Sequence, residues 1–329
     1  MSARAKATPD EAILPFQLHR ANMRGRCVRL DTTLRDILAQ HRYPPAVSSL
    51  VAESVILTAL IGQAIELRWK FSLQVRGDGP IKLIATDYYA PNEIGKPARM
   101  RAYAGFDAGD VASARQAPFE MLGKGVVGVS IDQGKGMMPY QGITPLTGRS
   151  LADCVETYFA QSEQLATRFA VQTAEAQVPG KAMHWRAGGI MIQQLPSSGG
   201  RVPDAPSGAE GLLSSTDIAE MGDRSEDWSR ANLLLDTVET HELIGPHISP
   251  ENVLFRLFHE ESPSVYEAQA VQFGCTCSAE RVEAAMHQYS AKDLSQMTNE
   301  AGKLTADCQF CGAHYEFDPA TLGYQAEGN

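Results

Sequence analysis

The chain ends in two cysteine-bearing segments, Phe273-Gly-Cys-Thr-Cys-Ser278 and Cys308-Gln-Phe-Cys-Gly-Ala-His-Tyr315, with thirty residues between Cys277 and Cys308. Two close pairs at this separation are typical of four thiolates that converge on one Zn²⁺ in tetrahedral geometry. The second pair has an ordinary zinc-knuckle spacing, whereas the first is tighter than the spacings usual in structural zinc sites. The sequence therefore predicts a zinc site formed by Cys275, Cys277, Cys308 and Cys311.

The charge around these cysteines argues against nucleic acid as a partner. Residues 271–329 contain three basic and eight acidic residues. Four thiolates with Zn²⁺ add further negative charge, and phosphate binding needs a basic face. The whole chain is also negatively charged, with a formal net charge of −10, so an anionic membrane is not favoured as a partner either.

Other cysteine chemistries fit the pattern less well. A thioredoxin-like dithiol opens a helix, but the residues after Cys311 favour a strand. Haem attachment needs histidine directly after the second cysteine, where Gly312 stands. His314 stays open as a substitute ligand, although four cysteines already fill a tetrahedral site. A closed Cys₄ site also lacks the open position that catalytic zinc requires.

The fold class indicated by the whole pattern is α+β, because strands and helices do not alternate as in a parallel doubly wound sheet. Its expected parts are an N-terminal mixed sheet/helix core domain, a helical linker and a small C-terminal Cys₄ zinc-binding domain. The predicted segments are a disordered tail (1–11), a core α+β domain (12–196), a Pro/Gly/Ser-rich flexible linker (197–227), an amphipathic helical linker region (228–270) and the cysteine domain (271–329).

Local signals place individual elements. Lys70–Arg76 alternates apolar and polar residues, and Gly77-Asp-Gly-Pro80 is a turn, so a hairpin is expected. Ser150, Ser278 and Ser290 have the character of helix N-caps. Further strands are predicted at Val126–Ile131, Arg168–Gln172, Gly189–Leu195, Lys303–Cys308 and Ala313–Phe317. Helices are predicted at Thr32–Gln40, Ala46–Ile65, Leu151–Gln161 and from Ser278 to about Tyr289.

Two helices are expected in the linker region. Trp228–Leu243 has apolar residues on one face, and a second helix begins at Ser249-Pro250, an N-cap followed by proline. Val253–Phe258 is apolar over most of its circumference, so it must be covered. The pattern leaves two interpretations open: these helices pack permanently on the core, or they form a docked surface that can be released.

The rest of the chain offers no enzyme chemistry. It contains no P-loop, nucleophile-elbow or HExxH motif, and Cys27 and Cys154 are expected to be small buried hydrophobes. Val55–Ile65 is too short to span a bilayer and is expected to be a buried helix. Met1–Glu11 lacks the apolar region of a secretory signal, so a cytoplasmic location is expected. In that compartment, close cysteines indicate metal or redox chemistry.

With these residues in view, the chain resembles the redox-regulated 33 kDa heat-shock chaperone family from about Phe16 to about Gly323. The strongest element is the terminal C-x-C, thirty residues, C-x-x-C pattern. The stretch 196–227 looks longer than the family's usual connection. Supporting segments are Gln74-Val-Arg-Gly-Asp-Gly-Pro80, Tyr158-Phe-Ala-Gln-Ser-Glu-Gln-Leu165, Ala187-Gly-Gly-Ile-Met-Ile192 and Leu254-Phe-Arg-Leu-Phe-His-Glu-Glu261.

This resemblance implies a non-enzymatic, ATP-independent holdase. Reduced, it would be an inactive monomer with one Zn²⁺ per chain; oxidised, it would lose zinc and bind unfolding client proteins, often as a homodimer. The family's ligand roles carry onto the four terminal cysteines, and the disulfides it implies are Cys275–Cys277 and Cys308–Cys311. The alternative that stays open is a constitutive structural-zinc adaptor without redox switching.

Physical arguments make such a switch reasonable. Structural zinc supplies on the order of 10–16 kcal/mol in finger peptides, and a domain of about sixty residues has little other stability. A disulfide across one residue closes a very small loop, so it cannot replace the metal. Once the domain unfolds, we expect the linker helices to lose a covering partner. The candidate client-binding residues are Leu254, Leu257 and Phe258.

Overall fold

In the computed structural model, the described residues are 10–177, 180, 182–195 and 226–322. The chain divides into two compact units between Phe273 and Gly274. The sequence places this boundary at residue 271, and the difference arises because residues 271–273 complete a strand of the larger unit. The predicted tail and the predicted flexible linker lie outside the described residues, except for residues 10 and 11, of which Glu11 begins a strand, and residues 226–227, which are helical.

The described part of the larger unit contains one eleven-stranded sheet. Its strands are β1 (Glu11–Leu18), β2 (Met23–Leu30), β3 (Lys70–Gly77), β4 (Ile81–Tyr89), β5 (Ala98–Phe106), β6 (Gly125–Asp132), β7 (Tyr140–Pro145), β8 (Thr167–Ala176), β9 (His184–Gln194), β10 (Pro263–Val265) and β11 (Gln269–Phe273). The order is β7-β6-β3-β4-β5-β11-β1-β2-β9-β8, with β10 paired to β1. β11 joins the two halves because it pairs parallel with β5 and antiparallel with β1.

Helices cover both faces of this sheet. They are α1 (Thr32–Leu38), α2 (Pro45–Ala64), α3 (Ala108–Ser113), α4 (Leu151–Tyr158), α5 (residues 226–235), α6 (Thr240–Ile244) and α7 (Pro250–Phe258), with short 3₁₀ turns at Phe119–Leu122 and His259–Glu261 and a π turn at Phe159–Glu163. Within the described residues, α2 alone is long and apolar enough to cross a membrane, and 78% of that stretch is buried in the protein, as expected for a core helix. The prediction that Val55–Ile65 is buried is confirmed.

Side-chain alternation along the central strands separates two apolar cores. Ile13, Val28 and Met191 lie on the α2 side, in a cluster that includes most of that helix. Phe16, Met23 and Ile192 lie in a second cluster with residues of α5, α6 and α7, which we call the linker helices. Because successive residues of a strand point to opposite faces, the sheet carries a core on each side.

Most of the predicted elements are confirmed, and the main correction concerns the first linker helix. The hairpin is formed by β3 and β4, and the Ser150 hydroxyl accepts the Asp153 N–H at 3.1 Å. The single helix predicted over Trp228–Leu243 is wrong, because residues 236–239 separate α5 from α6. Glu239 starts a new helix there through a capping box with Glu242, a signal that overrides the continuous apolar spacing.

Candidate metal centre

Cys308 and Cys311 lie in a tight turn of the smaller unit between β12 (Leu304–Asp307) and β13 (His314–Phe317). These antiparallel strands confirm the two predicted around the knuckle. The Cys308 N–H donates to the Ala313 carbonyl at 2.9 Å, and the Gly312 N–H donates to the Cys308 carbonyl at 2.8 Å. Gly312 has φ of +64°, a conformation that favours glycine, so the chain turns back directly after the second cysteine.

Cys275 and Cys277 lie in an irregular segment before α8 (Ala279–Met286). Ser278 is the predicted N-cap, and its hydroxyl accepts the Arg281 N–H at 3.3 Å. The Arg281 guanidinium donates back to the Thr276 carbonyl at 2.7 Å. Thr276, the residue between the two cysteines, is therefore held by the first turn of α8. The helix ends at Met286, earlier than the predicted Tyr289.

The smaller unit has little apolar core. In its described part, the buried apolar residues are Leu294, Leu304 and Leu322, with Met286 and Phe317 packed against them. α8 buries no residue. The next helix, α9 (Ala291–Gln296), begins at the predicted Ser290 cap, which forms a capping box with Asp293. A unit this small needs another source of stability, such as a metal or disulfides.

The four cysteine sulfurs converge. All four Sγ atoms lie within 4.8 Å of one another, and none is in a disulfide. The Cys275–Cys308 sulfur distance is 3.6 Å and the Cys277–Cys311 distance is 3.3 Å. Because Zn–S bonds of about 2.3 Å in a tetrahedron place sulfurs about 3.8 Å apart, the arrangement fits one Zn²⁺ ion.

The protein around these thiols favours their neutral form. Burial raises the pKa of the Cys308 thiol and raises that of Cys311 to about 12, and hydrogen bonds with neighbouring sulfurs raise the pKa of Cys311 further. Thiolates are the ligands that Zn²⁺ binds, so a dication at the centre would reverse this preference. The donor set therefore matches a soft divalent metal better than a site for isolated reactive thiolates.

Two aromatic side chains border the centre. His314, the alternative ligand, pairs with Asp307 at 2.6 Å and Glu316 at 3.4 Å and does not join the four sulfurs. A hydrogen bond with Cys277 raises the pKa of the Tyr315 hydroxyl to about 12. Tyr315 was not predicted as part of the site, and its place on β13, four residues after Cys311, is the only signal for it.

The remaining cysteines are structural, as predicted. Cys27 is buried in the larger unit, and burial raises its pKa to about 12. Cys154 is also buried, and its thiol donates to the Thr147 carbonyl at 3.0 Å. Neither joins the group of four sulfurs.

The three candidate client-binding residues lie on α7 in the larger unit. Leu254, Leu257 and Phe258 are buried, and the Phe258 ring stacks on Phe16 of β1 with centroids 6.1 Å apart. All residues of their cluster belong to the larger unit. Within the larger unit, this apolar face of α7 packs on the sheet.

The comparisons with known proteins agree with this architecture. The family described as Hsp33 protein matches residues 11–318. The chain belongs to the Hsp33 family. Its relatives include the 33 kDa chaperonins of Caulobacter vibrioides, 32% identical over 94% of this chain and 95% of that protein, and Sodalis glossinidius, 34% identical over 92% of each.

A solved structure supports the fold. The crystal structure of the 33 kDa chaperonin from Thermotoga maritima superposes with a TM-score of 0.71, covering 94% of this chain and 95% of that one at 19% identity. The protein is thus an Hsp33-family chaperone with an α+β fold and a C-terminal cluster of four cysteines, Cys275, Cys277, Cys308 and Cys311. Chaperone membership implies that it binds client proteins, and the family role is non-enzymatic.

Proposed function

We propose that this Hsp33-family protein is a redox-regulated, ATP-independent holdase, inactive when reduced and active when its four terminal cysteines are oxidised. One observation carries the proposal: the four thiols lie within 4.8 Å of one another in a unit with a minimal apolar core. A fold that depends on thiolate ligands is sensitive to any oxidant that consumes those ligands.

In the reduced state, Cys275, Cys277, Cys308 and Cys311 would hold one Zn²⁺ per chain. When bound, this ion would supply on the order of 10–16 kcal/mol of folding free energy. Arg281, through the Thr276 carbonyl, and the turn at Gly312 orient the two pairs toward one point. These contacts belong to the smaller unit alone.

Oxidation would remove the ligands. Each pair of thiols gives two electrons and two protons to a peroxide, which leaves as two waters while one S–S bond forms. We propose the pairings Cys275–Cys277 and Cys308–Cys311, although sulfurs of opposite pairs also lie within 3.6 Å of each other in the reduced protein. A disulfide sulfur is a poor zinc ligand, so the metal leaves and the smaller unit unfolds.

The client-binding step would then expose α7. The cysteine unit follows β11 directly, and β11 is held by short pairings with β5 and β1. We propose that unfolding spreads through this strand to the linker helices and exposes Leu254, Leu257 and Phe258. Unfolding proteins would bind this surface, and a second copy of the chain could cover part of it in an oxidised homodimer.

The test combines zinc release with chaperone activity. Zinc-loaded, reduced protein is treated with peroxide, released zinc is read with a chromogenic chelator, and aggregation of a heat-unfolded unrelated enzyme is followed by light scattering. We expect one zinc per chain to be released and aggregation to be suppressed only after oxidation. Cys27→Ala is the matched control and should behave as the unmodified protein. Retained zinc without suppression would instead identify the constitutive zinc adaptor.

A further inference from the structure

The short helix α6 ends on two buried arginines of the sheet. Arg29 donates from Nε to the Leu243 carbonyl at 2.8 Å and from Nη2 to the Glu242 carbonyl at 2.6 Å. Arg186 donates from Nε to the Ile244 carbonyl at 2.8 Å. These three carbonyls lie in the last turn of a five-residue helix, where a helix offers them no N–H donor of its own. The two arginine side chains of the sheet therefore cap the C-terminus of α6.

Two carboxylates on the side away from α6 fix the positions of the arginine side chains. Arg29 and Arg186 are 2% and 1% exposed, and they lie on neighbouring strands β2 and β9. Asp10 accepts from both, at 3.2 Å and 2.9 Å, and Asp31 accepts from Arg186 at 2.5 Å. The two carboxylates balance both guanidinium charges and leave the remaining donors directed at α6.

Two glycines allow the helix backbone to reach these donors. A Cβ atom on Gly188 of β9 would lie 2.2 Å from the Leu243 carbonyl oxygen. A Cβ atom on Gly245, directly after α6, would lie 2.7 Å from Arg29 Nη1, and Gly245 has φ of +67°. The close approach therefore depends on the absence of a side chain on both sides of the contact.

The same helix fixes its neighbour. The Glu242 side chain is buried, and both of its oxygens accept from Arg256 of α7 at 2.5 Å. A continuous path therefore runs from the two arginines through α6 to α7, whose Leu254, Leu257 and Phe258 form the candidate client surface.

We propose that Arg29 and Arg186 are positioning residues that form a linker clamp with the carbonyls of residues 242–244, and that this clamp keeps the client surface hidden. This inference rests on the proposed function, and it identifies the contact that keeps the linker helices docked on the sheet. Undocking α6 would leave two buried guanidiniums without three of their acceptors, which is strongly unfavourable. Weakening the clamp should release the linker helices without any oxidant.

The first test variant is Gly245→Ala, which adds one methyl group against Arg29 and leaves the sheet residues unchanged. Gly136→Ala is the matched control, because Gly136 has φ of +84° but nothing within 4 Å of its added Cβ. Hydrogen exchange is measured on full-length, reduced, zinc-loaded protein. We expect amides of residues 240–258 to exchange at least tenfold faster in Gly245→Ala, with β3–β4 protection and zinc content unchanged.

A second variant covers the case in which Gly245→Ala fails to fold. Arg29→Lys keeps a positive charge beside Asp10 but lacks the planar fork of donors with which Arg29 reaches both carbonyls and Asp10 together, so it should also speed exchange in residues 240–258. Unchanged exchange in that segment for the folded variants would overturn the clamp. Aggregation suppression by the reduced variants is measured in parallel. If oxidised unmodified protein suppresses no aggregation, the proposed function fails, and the exchange data still decide the clamp.

Discussion

The two units of this chaperone are stabilised in different ways. The larger unit buries an apolar core on each face of an eleven-stranded sheet. The smaller unit buries three leucines and brings four thiols within 4.8 Å of one another. Apolar burial does not depend on redox conditions, whereas thiolate coordination does. One chain therefore combines a unit whose fold is independent of redox conditions with a unit whose fold depends on them.

The largest effect should follow from removing one ligand. Cys308→Ser is expected to abolish tight zinc binding and unfold residues 274–322, because the lost metal contributes on the order of 10–16 kcal/mol. Hydrogen exchange should show loss of protection there and retained protection in β3 and β4. Cys27→Ala, in the core of the larger unit, should leave the protection of residues 274–322 unchanged. Protection of residues 274–322 in Cys308→Ser would contradict a metal-dependent fold.

The next test compares two leucines that are each 2% exposed, Leu257 in the larger unit and Leu304 in the smaller. Leucine-to-alanine changes in cores cost about 2–5 kcal/mol. In Leu304→Ala this loss should appear as zinc affinity weakened about 30-fold or more, since binding and folding are coupled. In Leu257→Ala it should appear in urea unfolding of the larger unit, with zinc affinity unchanged. Equal zinc affinities in the two variants would remove the distinction between the units.

One pH effect on the larger unit is expected at the buried carboxyl of Glu53. Burial raises the pKa of Glu53 from 4.5 to about 7, although its carboxylate accepts the Ala152 N–H at 3.1 Å. The folded state therefore keeps a proton that the unfolded state releases, so stability falls as pH rises from about 4.5 to 7. Glu53→Gln should remove this fall, so that its stability relative to the unmodified protein rises by about 2–3 kcal/mol between pH 5 and pH 8. Urea unfolding at both values checks this, and parallel pH profiles would contradict it.

The smallest effects should come from two matched helix caps, Ser150 in the larger unit and Ser290 in the smaller. Each accepts the N–H of an aspartate at N3. Loss of such a cap costs about 1 kcal/mol. Ser290→Ala should weaken zinc affinity about fivefold, measured by chelator competition, whereas Ser150→Ala should lower only the unfolding free energy of the larger unit. A change of zinc affinity in Ser150→Ala would show that the two folds are linked more closely than we expect.

Local signals carried most of what could be predicted from the sequence. The serine caps, the β3–β4 hairpin and the four converging cysteines each depend on residue types at short spacings. The family resemblance supplied the expectation of a chaperone, which the Hsp33 match confirms. The expectation that two helices pack on an apolar face is also confirmed for α7.

The remaining features depend on contacts between distant segments. Nothing near Arg29 or Arg186 indicates that they meet the end of α6, because the contacts join β2 and β9 to residues more than fifty positions later. The position of β11 between β5 and β1 likewise depends on pairings between strands that are far apart in the sequence.

Zinc loss and unfolding of the smaller unit can be followed in the same sample. Hydrogen exchange of the unmodified protein is followed together with zinc release during peroxide titration. We predict that zinc loss and loss of protection in residues 274–322 coincide, while the β3–β4 hairpin keeps its protection. Complete zinc loss with residues 274–322 still protected would show that the smaller unit folds without its metal, contrary to this prediction.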